Sequence, residues 1–141
     1  MNERGALNRY SVEADAHAER YYKEVLAKKC DYLQIAKNTG FSIEQVQIVK
    51  HYIFRSRHYL GGSTMTSKFY PSYEIAESWR RLSSKSPKNI QRHDIVLLQH
   101  ELYEISLFIQ HPTMSQATAH AMASKIYPYD VMSNNYYNRR G

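Results

Sequence analysis

The chain has 141 residues, 23% of them charged and 43% hydrophobic, which suits one domain with a real core and excludes a disordered chain. A formal net charge of +6 favours polyanionic partners, nucleic acid first. The single Cys30 excludes an internal disulfide, and no apolar run approaches the roughly 18 residues of a membrane span.

Residues 1–10 are expected to be flexible, and the polar "MNERGALNRYSVEADAHAERYY" lacks the apolar middle of a signal peptide. From Ser11, "SVEADAHAERYYKEVLAKK" has a capping serine, acidic first turns and lysines at its end, the charge order a helix dipole prefers. Asp31 can cap a second helix, "YLQIAKNT", which Gly40 closes in a left-handed conformation. Ser42 and Gln45 form a capping box for a third, "IEQVQIVKHYIFRS". "RHYLGGSTMTSKFYPS" breaks the pattern at Gly61, Gly62 and Pro71 and reads as a Gly-rich loop, with a short extended piece around Lys68 to Tyr70. A fourth helix opens at Ser72 and spaces Ile75, Ala76, Trp79 and Leu82 along one face.

Beyond the polar "SSKSPKN", Asp94 caps a fifth helix that ends near Ile109, ahead of Pro112. Ser115 starts a sixth, "QATAHAMASKIY", which Pro128 stops. No segment alternates with period two and no repeat is visible. The expected fold is therefore all-α: one domain over residues 1–141, a compact bundle of about five to six helices around the Gly-rich central loop.

Ala36, Gly40 and Val46 fall where a DNA-binding helix-turn-helix puts its small residue, turn glycine and packing aliphatic. Its recognition helix would offer Gln45, Gln47 and Lys50 to a groove, although Glu44 opposes phosphate approach and plain helix packing explains the same spacing.

The fifth helix, "HDIVLLQHELYEISLF", is apolar yet ionisable. At roughly 100° per residue, Leu98, Leu102, Ile105 and Ile109 form the centre of its expected buried face, with Gln99, Ser106 and Gln110 opposite. His93, His100 and Glu104 stack on a third line between apolar flanks, as in a cleft wall, and Glu101 lies nearer the buried centre. Burial and carboxylate repulsion raise a carboxyl pKa, and His100 can pair with Glu104 at i,i+4, conditions suited to acid–base work. The competing structural account is a buried His–Glu pair bridging to Arg80 and Arg81.

"HELYE" also has the opening of the zinc motif H-E-x-x-H, but ends in Glu104 where the second histidine belongs. If a divalent metal binds, His100 and Glu104 hold it, with a third ligand from His58, His93 or His120. No G-x-S-x-G nucleophile elbow occurs. His17 and His51 read as ordinary exposed residues.

The ordered set "EADAHAERYY", "IAKNTGFS", "YIF", "RHYLGG", "FYPSYEIAESWRRL", "KNIQRHDIVLLQHELYE" and "SQATAHAMASKIYPY" resembles a toxin-type C-terminal domain of polymorphic toxins. Such domains sit on filamentous-haemagglutinin-like and Rhs-like surface proteins and on some phage minor head proteins. The resemblance spans nearly the whole chain and implies an antibacterial effector, delivered by a carrier into the target-cell cytoplasm and neutralised at home by an immunity protein. By position, the family's polar motif residues fall on His58, Trp79, Arg81, His100, Glu101, Glu104 and His120. The chain departs from the pattern in having "WRRL" where a glutamine usually precedes the arginine, and in its extended "SSKSPKN" connection.

The functional expectation is a nuclease toxin, RNase rather than DNase, working by His/Glu acid–base chemistry without an obligatory metal or cofactor. His100, Glu101, Glu104, His58 and His120 are its catalytic candidates, and Arg81, Arg80, His93 and Trp79 its substrate contacts. The expected partners are nucleic acid and the immunity protein, with no membrane, in a monomer or an immunity-bound heterodimer. The alternatives are a helix-turn-helix DNA-binding protein and a metal-dependent hydrolase.

Overall fold

Ser11, Ser72 and Ser115 each accept a hydrogen bond from the backbone N–H three residues on, so three helices begin where a serine oxygen satisfies an orphan amide. In the computed structural model, which describes residues 11–54, 57–59, 66–68 and 72–140, the chain is an all-α bundle with one short β-ribbon. Its helices are α1 (Val12–Ala27), α2 (Asp31–Thr39), α3 (Ile43–Phe54), α4 (Tyr73–Leu82), α5 (Arg92–Gln110), α6 (Gln116–Ile126) and α7 (Tyr129–Arg140). Strands β1 (Arg57–Tyr59) and β2 (Thr66–Lys68) pair antiparallel, with His58 opposite Ser67. Residues 1–10 and the Gly61-Gly62 loop lie outside the described residues.

Several sequence signals are realised. Gly40 closes α2 at a φ of 85°, a conformation only glycine adopts without strain. Ser42 and Gln45 exchange reciprocal backbone hydrogen bonds at the start of α3.

Three expectations need correcting. Cys30, not Asp31, occupies the N-cap of α2, because Asp31 is already helical. Gln91, not Asp94, caps α5; Asp94 is three residues in, where its carboxylate accepts the Gln91 backbone N–H at 2.8 Å. The third correction is α7, a whole helix beyond Pro128: the proline that ends α6 also precedes a new first turn, whose Asp130 suits a helix N-terminus.

Helix α5 is the axis of the bundle, packed against α3, α4, α6 and α7. The core gathers Val25, Ile35, Val46, Val49, Trp79, Leu82, Leu97 and Leu98, each worth about 1.5–3 kcal/mol of burial for an aliphatic side chain. Trp79 is fully buried, edge-on to Phe54 at 5.1 Å. Its indole N–H donates to Asp31 Oδ2 at 3.0 Å, and the Lys50 ammonium donates to Asp31 Oδ1 at 2.6 Å and to the Lys28 carbonyl at 2.8 Å. Asp31 thus ties α2, α3 and α4 together. Asp31→Ala strands the Trp79 indole N–H and leaves the Lys50 ammonium without its carboxylate, on the Lys28 carbonyl alone, and the unfolding free energy in urea is expected to fall by about 3 kcal/mol; a loss below about 1 kcal/mol, the size of an exposed pair, is the contrary result.

Candidate functional site

The ionisable residues of α5 lie at the centre of its buried face, and His100, Glu101 and Glu104 line a cavity there, as the expected cleft wall requires. Of the expected apolar line only Leu98 is fully buried, together with His93, Leu97, His100, Glu101, Glu104 and Leu107, whereas Leu102 and Ile105 are half-buried and Ile109 is 75% exposed. The apolar line misleads because α3, α4, α6 and α7 close over the stripe and satisfy its polar groups.

Glu104 is the hub of that network. Its Oε2 lies 2.7 Å from His100 Nε2, one turn before it on α5, and 3.1 Å from His120 Nδ1 on α6. Its Oε1 accepts from the Tyr52 hydroxyl of α3 at 2.7 Å and from the Gln116 side-chain amide of α6 at 3.0 Å. The outer nitrogens are engaged too. His100 Nδ1 is 3.0 Å from the Tyr127 carbonyl, and His120 Nε2 is 3.1 Å from Asp130 Oδ2 at the start of α7.

Hydrogen-bond logic fixes the protons. A carbonyl only accepts, so His100 Nδ1 carries a hydrogen, and the contact of its Nε2 with Glu104 needs a second one between them. Both nitrogens of His120 face carboxylates and likewise both carry hydrogens. Burial alone would raise Glu104, but its hydrogen bonds from His100, His120 and Tyr52 outweigh burial and hold it far below the usual carboxylate range. Burial opposes charge on His100, yet the Glu104 bond, the nearby Glu101 charge and the Tyr127 carbonyl raise it. The Asp130 and Glu104 bonds push His120 up to about 10.

Glu101 stands apart. It is 9% exposed, and no described residue hydrogen-bonds its carboxyl. Burial first, then the charge of Glu104, drives its pKa well above the ordinary range. It opens into a cavity of about 220 Å³ shared with His100, Glu104, His120 and Asp130. The His120 side chain, 46% exposed, stands where the cluster meets solvent. A second depression of about 230 Å³ continues past Ser72 and Asp130 to Glu74 and Asn134. Neither hollow has a lysine or arginine among its described lining residues.

The four expected substrate contacts lie away from this cavity. Arg81 grips Asp94 through two hydrogen bonds of 2.8 and 2.9 Å, and its guanidinium also donates to His93 Nε2 at 3.2 Å. The guanidinium cannot accept, so His93 Nε2 holds a lone pair and the ring is neutral; burial lowers its pKa accordingly. Arg81, His93 and Trp79 are therefore buried structural groups rather than surfaces open to a substrate. Arg80 is half-exposed but pairs with Glu77, at 2.7 Å, outside the cavity lining. His17, expected to be exposed, is drawn to the same Glu77 at 2.9 Å.

Of the five catalytic candidates, the structure brings together His100, Glu101, Glu104 and His120. The backbone of β1 approaches α6, while the side chain of His58 lies outside the described residues. Sequence reasoning missed Tyr52, Gln116, Asp130 and the Tyr127 carbonyl. Only Asp130 carried a usable signal, as an acidic residue in the first turn after a proline; the other three depend on which helices pack on α5.

Compared with known proteins, the chain matches no family model, no curated protein and no solved structure. No helix among the described residues is long and apolar enough to cross a membrane.

Proposed function

We propose that the chain is an antibacterial effector domain that cleaves nucleic acid, RNA in preference to DNA, in the cavity floored by α5. The observation that carries the reading is Glu101: a carboxyl buried without a hydrogen-bonding partner among the described residues, opening into a cavity beside a fully satisfied His–Glu–His network. Unpaired burial of a polar group costs several kcal/mol, a cost that a fold without a use for the group would shed by substitution.

Glu101 acts as the general base. It takes the proton of a ribose 2′-hydroxyl; the 2′-oxygen bonds to phosphorus, the bond to the 5′-oxygen breaks, and that oxygen takes a proton from water at the cavity mouth. The products are a cyclic phosphate and a 5′-hydroxyl. Positive charge held at the His100–Glu104–His120 cluster meets the charge developing on phosphate. His100 is locked between Glu104 and the Tyr127 carbonyl and is a positioning residue. The net charge of +6 and the toxin-type motif order support a polyanionic substrate and the carrier-borne delivery, with an immunity protein as partner.

The rival DNA-binding reading loses its cation, because Lys50 is committed to Asp31 and the Lys28 carbonyl. Induced expression in bacteria without an immunity protein should arrest growth and degrade total RNA, leaving cyclic-phosphate ends while chromosomal DNA stays intact. Arrested cells with intact nucleic acids would end the nuclease reading and keep the toxin one.

A further inference from the structure

We infer that His100, Glu104 and His120 form a binding site for a divalent first-row transition ion, zinc foremost, at the floor of the Glu101 cavity. The inference deepens the reading of that cavity as a phosphodiester-cleaving site, and its catalytic part rests on that reading.

Three observations converge on it. The first is the donor set. His100 Nε2, a Glu104 oxygen and His120 Nδ1 all lie within 4.8 Å of one another, with separations of 2.7 Å and 3.1 Å across the two His–Glu contacts. Ligands held about 2.0–2.2 Å from one ion stand about 3 Å apart, so a small shift admits it. Two imidazoles and one carboxylate select a transition ion over magnesium or calcium, which prefer all-oxygen shells.

The second is the surrounding shell, which has the form metal sites use to aim their ligands. Each histidine donates its outer N–H to an oxygen, His100 to the Tyr127 carbonyl and His120 to Asp130. The Glu104 oxygen that is not shared with the histidines is held by Tyr52 and Gln116. Every ligand is therefore oriented from behind. In the metal-free protein the two inner contacts require one hydrogen each, and a divalent ion replaces both without changing the charge of the cluster.

The third is the vacant coordination face. Three protein ligands leave room for substrate on the cavity side, where Glu101 stands nine-tenths buried with no described hydrogen-bond partner. In "HELYE", His100 and Glu104 occupy the two ligand positions of H-E-x-x-H and Glu101 the position of its general base. The ion would concentrate the cluster's positive charge at one centre open to phosphate, in a described lining free of lysine and arginine.

The test uses the full chain, freed of metal by chelator and titrated with Zn²⁺, Co²⁺ and Mg²⁺ separately, with no substrate present. Zn²⁺ at about 100 times its dissociation constant should raise the unfolding midpoint by about 10 °C. Co²⁺ should bind one per chain with a visible absorption band, and Mg²⁺ should do neither. Glu104→Gln should abolish binding. Because that hub change can also unfold the protein, the half-exposed His120→Asn should abolish the cobalt band in a chain that stays folded by circular dichroism. Asp130→Ala should weaken binding about 10- to 100-fold.

The inference is overturned if the parent chain binds no Co²⁺, or if binding survives both His120→Asn and Asp130→Ala. Cleavage that persists undiminished in chelator would overturn its catalytic part and leave the nuclease reading intact. Tight binding in a chain that cleaves neither RNA nor DNA would do the reverse.

Discussion

Glu101→Gln is expected to lower the cleavage rate by about 10²- to 10⁴-fold, the contribution of a general base, while making the chelator-treated protein more stable near neutral pH. The two effects share one cause. Glutamine fills the same space beside Glu104 and His120 but cannot take a proton, so the base is lost without a cavity.

For stability, the folded carboxyl is raised from its ordinary value of 4.5 to about 8 by burial and by the Glu104 charge. Between those values the folded state binds more protons than the unfolded one. Stability therefore falls as pH rises through this window, and is greatest on its acid side. Removing the ionisable group removes that fall. A melting series from pH 4.5 to 8 should show the parent losing stability relative to the variant as the pH climbs. A variant that loses activity and melts lower at every pH would make Glu101 a structural acid instead. Such a gain of stability with loss of function is the expected mark of a strained catalytic position.

How much of this was legible in the chain depends on how local the cause is. Ser11, Ser42, Ser72 and Ser115 act on amides within three residues, and the helices they open start where expected. Gly40 is as local. Pro128 was ambiguous, since a proline stops one helix and opens another with equal ease, and α7 was lost to the first meaning.

The face of α5 was the least legible. Hydropathy favoured Ile109, yet it is exposed, while Glu104 is buried because Tyr52, Gln116, His100 and His120 together satisfy it. A charge neutralised by four partners from three helices counts as core, and only one of those partners, His100, is within a helical turn. The i,i+4 pair is legible from spacing; His120 is legible only as one of three candidate third ligands, because no local spacing sets α6 against α5.

Breaking the Arg81–Asp94 pair should cost more stability than any surface change, about 3–5 kcal/mol for Asp94→Ala. The guanidinium is 7% exposed and the carboxylate 0%, so the single variant leaves a buried cation with no carboxylate partner, beside the neutral His93 ring, the Tyr137 side chain and the Tyr136 face, 5.4 Å away. It also removes the acceptor for the Gln91 N–H at the start of α5, worth about 1 kcal/mol. In the double variant Arg81→Met with Asp94→Ala no charge is stranded. Urea denaturation should then show recovery of all but that cap.

The comparison decides what Arg81 is for. Motif position makes it a phosphate contact, which predicts an Arg81→Met variant that folds normally and fails to cleave. The geometry predicts the opposite: activity per folded molecule within a few-fold of the parent in the double variant, because α4 and α5 still set the distance between the core and the Glu101 cavity. If the double variant is folded, stable and inactive, the arginine reaches the substrate after all, and the cavity has a cationic wall that the resting structure conceals.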